Sequence, residues 1–324
     1  MRFIDAIRAQ GKGLRTSRAA VGERLQEIDL APWRGRRLAL TGMGASSNAI
    51  AAALPGYWAA GIQATAWGGA DLALAGQAAG AQAVVAVSQT GRSAEIHAAL
   101  NALPGTCPRL AVTDVAGSPI GVLAHEVLPL GLLEDSNVRT IGYTGTIQAL
   151  LLLRDALADT QSPDWDQIAD QAERLTAAAE TLANQLPEKL RAADAFDVVG
   201  SAAHAGTAAQ GALLLREVAK LPAAAYETHQ YLHGPVEAAG PGRALIVIGG
   251  AREIRLAESL ADAGAHVLLV TDQAVNSKRA LVFRVPDGPI HAVLPLQTIA
   301  WRLAEDRGLP DGVFRYHQDD TKVA

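Results

Sequence analysis

Six consecutive residues, Ser88-Gln-Thr-Gly-Arg-Ser93, put three hydroxyls, an amide and a glycine at one bend of the chain. The bend lies between an apolar run, Ala83-Val-Val-Ala-Val87, and the helix-like Ala94-Glu-Ile-His-Ala-Ala-Leu100. A strand that ends in short hydroxyl side chains at a helix N-terminus gathers free N–H groups, hydroxyls and the positive end of the helix dipole at one point. Such a turn suits an anion. It lacks the Gly-x-x-x-x-Gly-Lys-Ser/Thr spacing of a nucleoside-triphosphate loop and the Gly-x-Gly-x-x-Gly of a dinucleotide turn. Hydroxyls without a lysine point to a small phosphomonoester, held through Ser88, Gln89, Thr90 and Ser93. The plainer alternative is a polar strand–helix turn with no ligand.

A cradle of this kind needs a parallel sheet behind it. Short β-type runs alternate with helical segments along the chain, the pattern of strands joined by crossover helices. Residues 1–35 read as a leading helix with a polar loop at Ala31-Pro-Trp-Arg-Gly35. The first series of strands is Arg37–Gly42, Ala64–Trp67, Ala83–Val87, Arg109–Asp114 and Glu126–Leu130, closed by a helix from about Thr140 to Ala158. A polar, helix-prone connector covers Pro163–Arg191, and the second series is Phe196–Gly200, Ala223–Tyr226, Ala244–Ile248, Ala265–Asp272 and Leu281–Val285. Three segments recur in the same order: Leu40-Thr-Gly42 answers Val199-Gly200, Val84–Val87 answers Leu245–Ile248, and Ala111-Val-Thr-Asp114 answers Leu269-Val-Thr-Asp272. An offset of roughly 160 residues marks duplicated domains rather than a solenoid. The predicted organisation is an N-terminal helix with one α/β domain over 1–160, a helical connector over 161–194, and a second α/β domain with a C-terminal tail over 195–324. Where the first half has Ser88–Ser93, the second has Gly249-Gly-Ala-Arg-Glu253. Strand and turn persist while the hydroxyls have gone, which favours a ligand over a purely structural role for them.

Composition narrows the class. With 324 residues, 49% of them hydrophobic, the chain can bury one large core or two medium ones. A net charge of −5 without a long basic run argues against a nucleic-acid face and against an anionic membrane surface. The single cysteine, Cys107, excludes a disulfide framework and a cysteine-rich zinc site, and suits a reducing cytosol. The N-terminal stretch has no apolar core of signal-peptide length and no apolar run approaches a membrane span, so a cytoplasmic protein is expected. His97, His125, His204 and His291 fall in no metal-ligand spacing, and Gly42-Met-Gly44 is too little for a dinucleotide site. Neither a metal nor a cofactor is expected.

Tandem α/β halves with a Ser-Gln-Ser/Thr-Gly-x-Ser/Thr turn in the first resemble the sugar isomerase (SIS) family. The resemblance runs from Ile7-Arg-Ala-Gln10 and Gly44-Ala-Ser-Ser47, through Ser88–Ser93 and Glu134, to Gly211-Ala-Leu-Leu-Leu-Arg-Glu217, His233-Gly-Pro235 and Lys322. Within the family the chain is similar to the isomerase domain of glucosamine-6-phosphate synthases and to stand-alone amino-sugar-phosphate deaminases and fructosamine-6-phosphate deglycases. The resemblance implies two tandem SIS domains, each a flavodoxin-like, three-layer αβα unit with a parallel sheet. It also implies a phosphosugar isomerase acting on a hexose 6-phosphate or amino-sugar 6-phosphate. Such an enzyme moves a proton between C1 and C2 through an enediol or enolamine, alone or coupled to deamination or deglycation. The glutamine-hydrolysing domain of the synthases is not expected here.

Carried over residue by residue, Glu217 matches the family's general base. Leu213, Leu214 and Val218 surround it at helical spacing, and an apolar surround raises a carboxyl pKa. His233 matches the ring-opening histidine, sixteen residues beyond Glu217. It implies a homodimer in which this imidazole reaches the neighbouring subunit's site. Lys322 matches a C-terminal lysine that folds over the substrate. Glu134 and Val138 match a loop that contacts the sugar hydroxyls. Ser46 and Ser47 sit at a strand–helix turn, where they cap the helix or touch the ligand, capping being the simpler expectation. Two positions depart from the synthases: Leu214 replaces a lysine and Gln210 a glutamate. Both remove charge beside the reacting carbons and favour a cousin with a different amine or leaving group. The competing expectation is a regulatory SIS protein that binds a sugar phosphate without turnover.

Overall fold

Among the described residues, apolar runs bounded by glycine, proline and polar turns form ten strands. The computed structural model describes every residue except Leu132, Leu133, Pro241, His317 and Ala324. The strands are β1 (Leu38–Gly42), β2 (Ala64–Gly68), β3 (Ala83–Val87), β4 (Arg109–Val112), β5 (Glu126–Leu128), β6 (Ala195–Gly200), β7 (Ala223–Glu227), β8 (Arg243–Ile248), β9 (His266–Thr271) and β10 (Leu281–Arg284). They build two parallel five-stranded sheets, ordered β2-β1-β3-β4-β5 and β10-β9-β8-β6-β7. Numbered within its own half, each sheet has the order 2-1-3-4-5. The three recurring sequence segments fall on β1 and β6, β3 and β8, and β4 and β9, matched places in the two sheets.

The helices are α1 (Phe3–Arg8), α2 (Gln10–Glu27), α3 (Ala45–Ala59), α4 (Gly69–Ala75), α5 (Ala94–Ala102), α6 (Pro119–Leu123), α7 (Ile141–Ala158), α8 (Trp165–Asn184), α9 (Glu188–Arg191), α10 (Ala203–Glu217), α11 (Thr228–Leu232), α12 (Ala251–Asp262) and α13 (Pro289–Asp306). The expected leading helix is two helices, broken at Ala9, whose N–H is shared between the carbonyls of Asp5 and Ala6. Strand β5 stops at Leu128, short of the expected Leu130, because Pro129 has no N–H for the ladder. The chain forms two compact units, each discontinuous in sequence. One comprises residues 12–134, 141–169 and 315–324 and holds β1–β5; the other comprises 1–11, 135–140 and 170–314 and holds β6–β10.

Side chains alternate across the first sheet, so each face has its own core. Leu40, Val85 and Val112 pack with Tyr57 of α3 and Leu150 and Leu153 of α7. Val84, Ala86 and Ala111 face the other way, onto Leu72 of α4 and Ile96 and Leu100 of α5. Burying each such aliphatic side chain contributes about 1.5–3 kcal/mol. Tyr57 is fully buried and satisfies its hydroxyl on the carbonyl of Leu150 at 2.8 Å.

The second sheet is built the same way. Val198 of β6 faces α10, where Gly211 has no Cβ because one would stand 2.2 Å from Leu296 of α13. On the opposite face Val199, Leu245 and Val247 pack with Tyr231 of α11 and with Leu256 and Ala257 of α12. Asp197, on that same face, is buried and held by Arg243 Nη1 at 2.6 Å and the Tyr231 hydroxyl at 3.4 Å. Removing either partner would leave a carboxylate short of compensation in the core.

Matched elbows follow the first strand of each half. Gly44, after β1, has φ 54 and ψ −126; Ala202, after β6, has φ 49 and ψ −125. A positive φ suits the glycine and strains the alanine. Gly44 is the N-cap of α3 and no side chain caps that helix, so the expected capping by Ser46 or Ser47 does not occur.

Candidate functional site

Strand β3 delivers Ser88–Ser93 to the carboxyl edge of the first sheet, at the place where the strand order reverses between β1 and β3. The carboxyl ends of strands at such a switch point form the crevice in which open α/β sheets bind ligands. Ser46 and Ser47, in the first turn of α3, follow β1 at the same edge.

The turn is shaped by its glycine. Gly91 has φ 63, and a Cβ there would stand 1.8 Å from Ser118 Oγ. Ser118 lies under the turn as the N-cap of α6, accepting from the Gly121 N–H at 3.2 Å. Thr113 Oγ1 donates to the Gln89 carbonyl at 3.1 Å, and the Asp114 N–H donates to the same oxygen at 3.1 Å. These contacts hold the bend from behind. Ser88 is buried, while Gln89 and Thr90 are half-buried. The Gln89 Oε1 atom is shielded from solvent and has no hydrogen-bond partner. Ser93 is buried, and its hydroxyl donates to Glu95 Oε2 at 3.0 Å. No side chain caps α5, so its first N–H groups are not occupied by a capping oxygen. A cavity of about 350 Å³ opens beside the turn, lined by Gln89, Thr90, Arg92, Asp114, Ser118 and Pro119 among others.

The tail reaches the same turn. Ser93 and Lys322 form an isolated antiparallel bridge. The Val323 N–H donates to the Arg92 carbonyl at 2.9 Å, and Arg92 Nε donates to the Val323 carbonyl at 2.9 Å. Lys322 is exposed. Arg92, which the resemblance does not single out, is the one cation of the otherwise neutral Ser88–Ser93 turn and the residue to which the tail is tied. His317 and Ala324 of the tail lie outside the described residues.

Glu217 is the last residue of α10, in the other unit. Leu214 and Val218 beside it are fully buried, Leu213 is half-buried, and so is Glu217 itself. Burial pushes its carboxyl pKa up, against the opposing pull of Lys220 and Arg216. Lys220, with φ 55, turns back to the helix end: its Nζ donates to the Glu217 carbonyl at 2.5 Å and the Val313 carbonyl at 2.7 Å. Gln210 and Leu214, the two departures from the synthases, are both buried on α10.

His233 caps the end of α11 and is exposed. Gly234 after it has φ 137, which fixes why glycine stands there, and Pro235 opens a short 3₁₀ turn. The helices that carry Glu217 and His233 pack on opposite faces of the second sheet, α10 against Val198 and α11 among the side chains around Val199. One chain does not bring these two groups together. Glu134 is exposed and belongs to the β1–β5 unit; Val138 is buried and belongs to the other, its carbonyl accepting from Ser136 Oγ. Among the described residues no cluster of three or more His, Cys, Asp or Glu side chains could hold a metal, and no helix is long and apolar enough to cross a membrane.

Comparison with known proteins follows the same lines. No protein-family model matches the chain. The isomerizing glutamine–fructose-6-phosphate aminotransferase of Gloeobacter violaceus is 27% identical over 251 residues, which cover 69% of this chain and 41% of that protein. This match agrees with the resemblance to the sugar isomerase (SIS) family. Among solved structures, glucosamine-6-phosphate deaminase of Thermotoga maritima superposes with a TM-score of 0.82 at 19% identity, over 99% of both chains. Tagatose-6-phosphate ketose/aldose isomerase of Escherichia coli gives a TM-score of 0.73 at 18% identity, over 97% of this chain and 96% of that one. At these identities the likeness establishes the fold, and the chain spans less than half the length of the aminotransferase it matches.

Proposed function

We propose that the protein is a phosphosugar isomerase that moves a proton between C1 and C2 of a hexose 6-phosphate or an amino-sugar 6-phosphate. The observation that carries this reading is the Ser88–Ser93 turn: the hydroxyl residues Ser88 and Thr90 and an α5 N-terminus that no side chain caps, at the switch point of a parallel sheet, with Lys322 paired to the turn's last residue. In this proposal Ser88, Gln89 and Thr90, with Ser46 nearby at the same sheet edge, hold the phosphate, and Lys322 adds positive charge. Binding energy at the phosphate orients carbons that are remote from it.

Glu217 is proposed as the base. A carboxylate whose pKa is raised by burial is better matched to carbon acids at neutral pH than an exposed one. His233 is proposed to open the sugar ring. Its helix lies across the sheet from that of Glu217, which favours delivery of this imidazole to the site of a second copy in a homodimer. Glu134 and Val138 are proposed to contact the sugar, within a pair of SIS domains joined by a helical connector. Loss of an amine after proton transfer is the finer reading favoured by Leu214 and Gln210, which leave the α10 helix without the charge the synthases carry there.

A thermal-shift panel tests the proposal. Hexose 6-phosphates and amino-sugar 6-phosphates should raise the melting temperature of the wild type, because a ligand selective for the folded state stabilises it. The double variant Ser88→Ala/Thr90→Ala should lose most of that shift, and unphosphorylated sugars should give none. Equal shifts for wild type and double variant would remove the phosphate anchor from the account.

A further inference from the structure

The two halves treat the same crevice differently. In the β6–β10 sheet the strand order reverses between β6 and β8, so the matching crevice lies outside their carboxyl ends. The turn after β8 is Gly249-Gly250, and Glu253 folds back into it from the first turn of the twelve-residue α12. Its side chain is 96% hidden from solvent, with 4% exposure remaining. One carboxyl oxygen accepts from Ser201 Oγ at 2.9 Å and the other from the Gly250 N–H at 3.2 Å. Ser201 follows β6 and Gly250 follows β8, so the carboxyl group spans the two turns that an anionic ligand would span. Gly249 has φ 144, and a Cβ there would stand 2.7 Å from Glu253 Oε2. The glycine is what admits the carboxyl group.

We infer that Glu253 is a resident anion that closes the second crevice, so that the duplicated chain takes a phosphomonoester at its first half and not at its second. A duplicated strand–turn–helix inherits an N–H-lined bend in both copies, and an open second bend would compete for substrate without adding chemistry. A tethered carboxyl group acts at an effective concentration in the millimolar range or above, which lets it outcompete a dilute free anion. A helix capping box accounts for the Gly250 contact. It does not account for the hydrogen bond from Ser201, fifty-two residues away in sequence, or for the near-complete burial.

The part that concerns the first half rests on the phosphate reading of Ser88–Ser93; the closure of the second half does not. Glu253→Ala is made in the wild type and in Ser88→Ala/Thr90→Ala, and inorganic phosphate is titrated by calorimetry and thermal shift, with potassium chloride at matched ionic strength as control. The expected result is one additional phosphate per chain on removing Glu253 in both backgrounds. With it, a melting temperature lowered by a few degrees should recover in millimolar phosphate. Glu253→Gln, which refills the space with a neutral group, should gain no phosphate. Absence of the added phosphate, or recovery matched by chloride, would overturn the inference. Unchanged phosphate binding in Ser88→Ala/Thr90→Ala would instead count against the first-half anchor. Should Glu253→Ala not fold in low salt, refolding yield with and without phosphate decides it: rescue by phosphate supports closure by an anion, and failure of rescue refutes it.

Discussion

Replacing Gly91 by alanine should collapse the proposed anion turn, and the structure gives the size of the effect. The new Cβ would lie 1.8 Å from Ser118 Oγ, 2.3 Å from Ser118 Cβ and 3.1 Å from Thr113 Oγ1. Ser118 must therefore leave its place. It is the N-cap of α6, and losing a cap costs about 1 kcal/mol. Holding an L-residue at φ 63 costs about 1–2 kcal/mol more. Forcing a group into a filled space adds about 1–3 kcal/mol. The expected loss is on the order of 3–6 kcal/mol, a large part of the roughly 5–15 kcal/mol that holds a native protein together. Urea unfolding followed by far-UV circular dichroism measures it. Gly105→Ala is the control, since a Cβ there meets nothing within 4 Å and its φ is not in the left-handed region. That control should move stability by less than about 1 kcal/mol. Gly91→Ala should also abolish phosphate-induced stabilisation. A loss under about 1 kcal/mol with phosphate response intact would refute the reasoning about this turn.

Ala202→Gly should stabilise the protein by about 1 kcal/mol, because glycine relieves the positive φ that Gly44 already tolerates at the matched elbow; an unchanged or lowered urea midpoint would contradict this. For Glu217 the sign follows from its raised pKa: the folded state binds the proton more tightly, so the group's contribution to stability is present below the ordinary carboxyl range and is lost as pH rises through the folded-state value. Glu217→Gln should therefore gain on the wild type in melting temperature between about pH 4 and about pH 8, and a difference that is constant across that span would exclude a desolvated carboxylate. With Glu217 as the proposed base, the proposed isomerisation should slow on the acid side at a pH above the ordinary carboxyl pKa, because that base works ionised. Arg92→Ala should loosen the tail while leaving the sheet intact, seen as faster amide exchange at Val323 with an unchanged urea midpoint; unchanged exchange would show that the latch from Arg92 Nε does not hold the tail.

Much of the fold is legible in the sequence because its signals are local. Runs such as Val84–Val87 and Leu245–Ile248 are too short for helices, too apolar for loops, and end at Gly or polar turns. The recurrence of Ala111–Asp114 as Leu269–Asp272 gives the duplication, and the two sheets share one strand order. The elements that escaped are those set by distant partners. Nothing local breaks the leading helix at Ala9, and nothing in Gly249–Glu253 announces that Ser201 will receive the carboxyl group. The pairing of Ser93 with Lys322 joins residues more than two hundred positions apart, beyond any pattern of spacing. At the site, the turn was visible from its own residue types. The raised pKa of Glu217 was foreseeable from Leu214 and Val218, whereas its separation from His233 by a sheet needed the topology.

Solvent isotope incorporation addresses the central claim most directly. With fructose 6-phosphate, glucosamine 6-phosphate or a fructosamine 6-phosphate in D2O, the wild-type protein should wash deuterium into C1 or C2 of at least one of them, followed by proton NMR. Glu217→Gln should slow that exchange by about 10²–10⁴-fold while still binding the sugar phosphate. A wild-type protein that binds these sugars yet leaves both carbons unlabelled in all three would contradict the account.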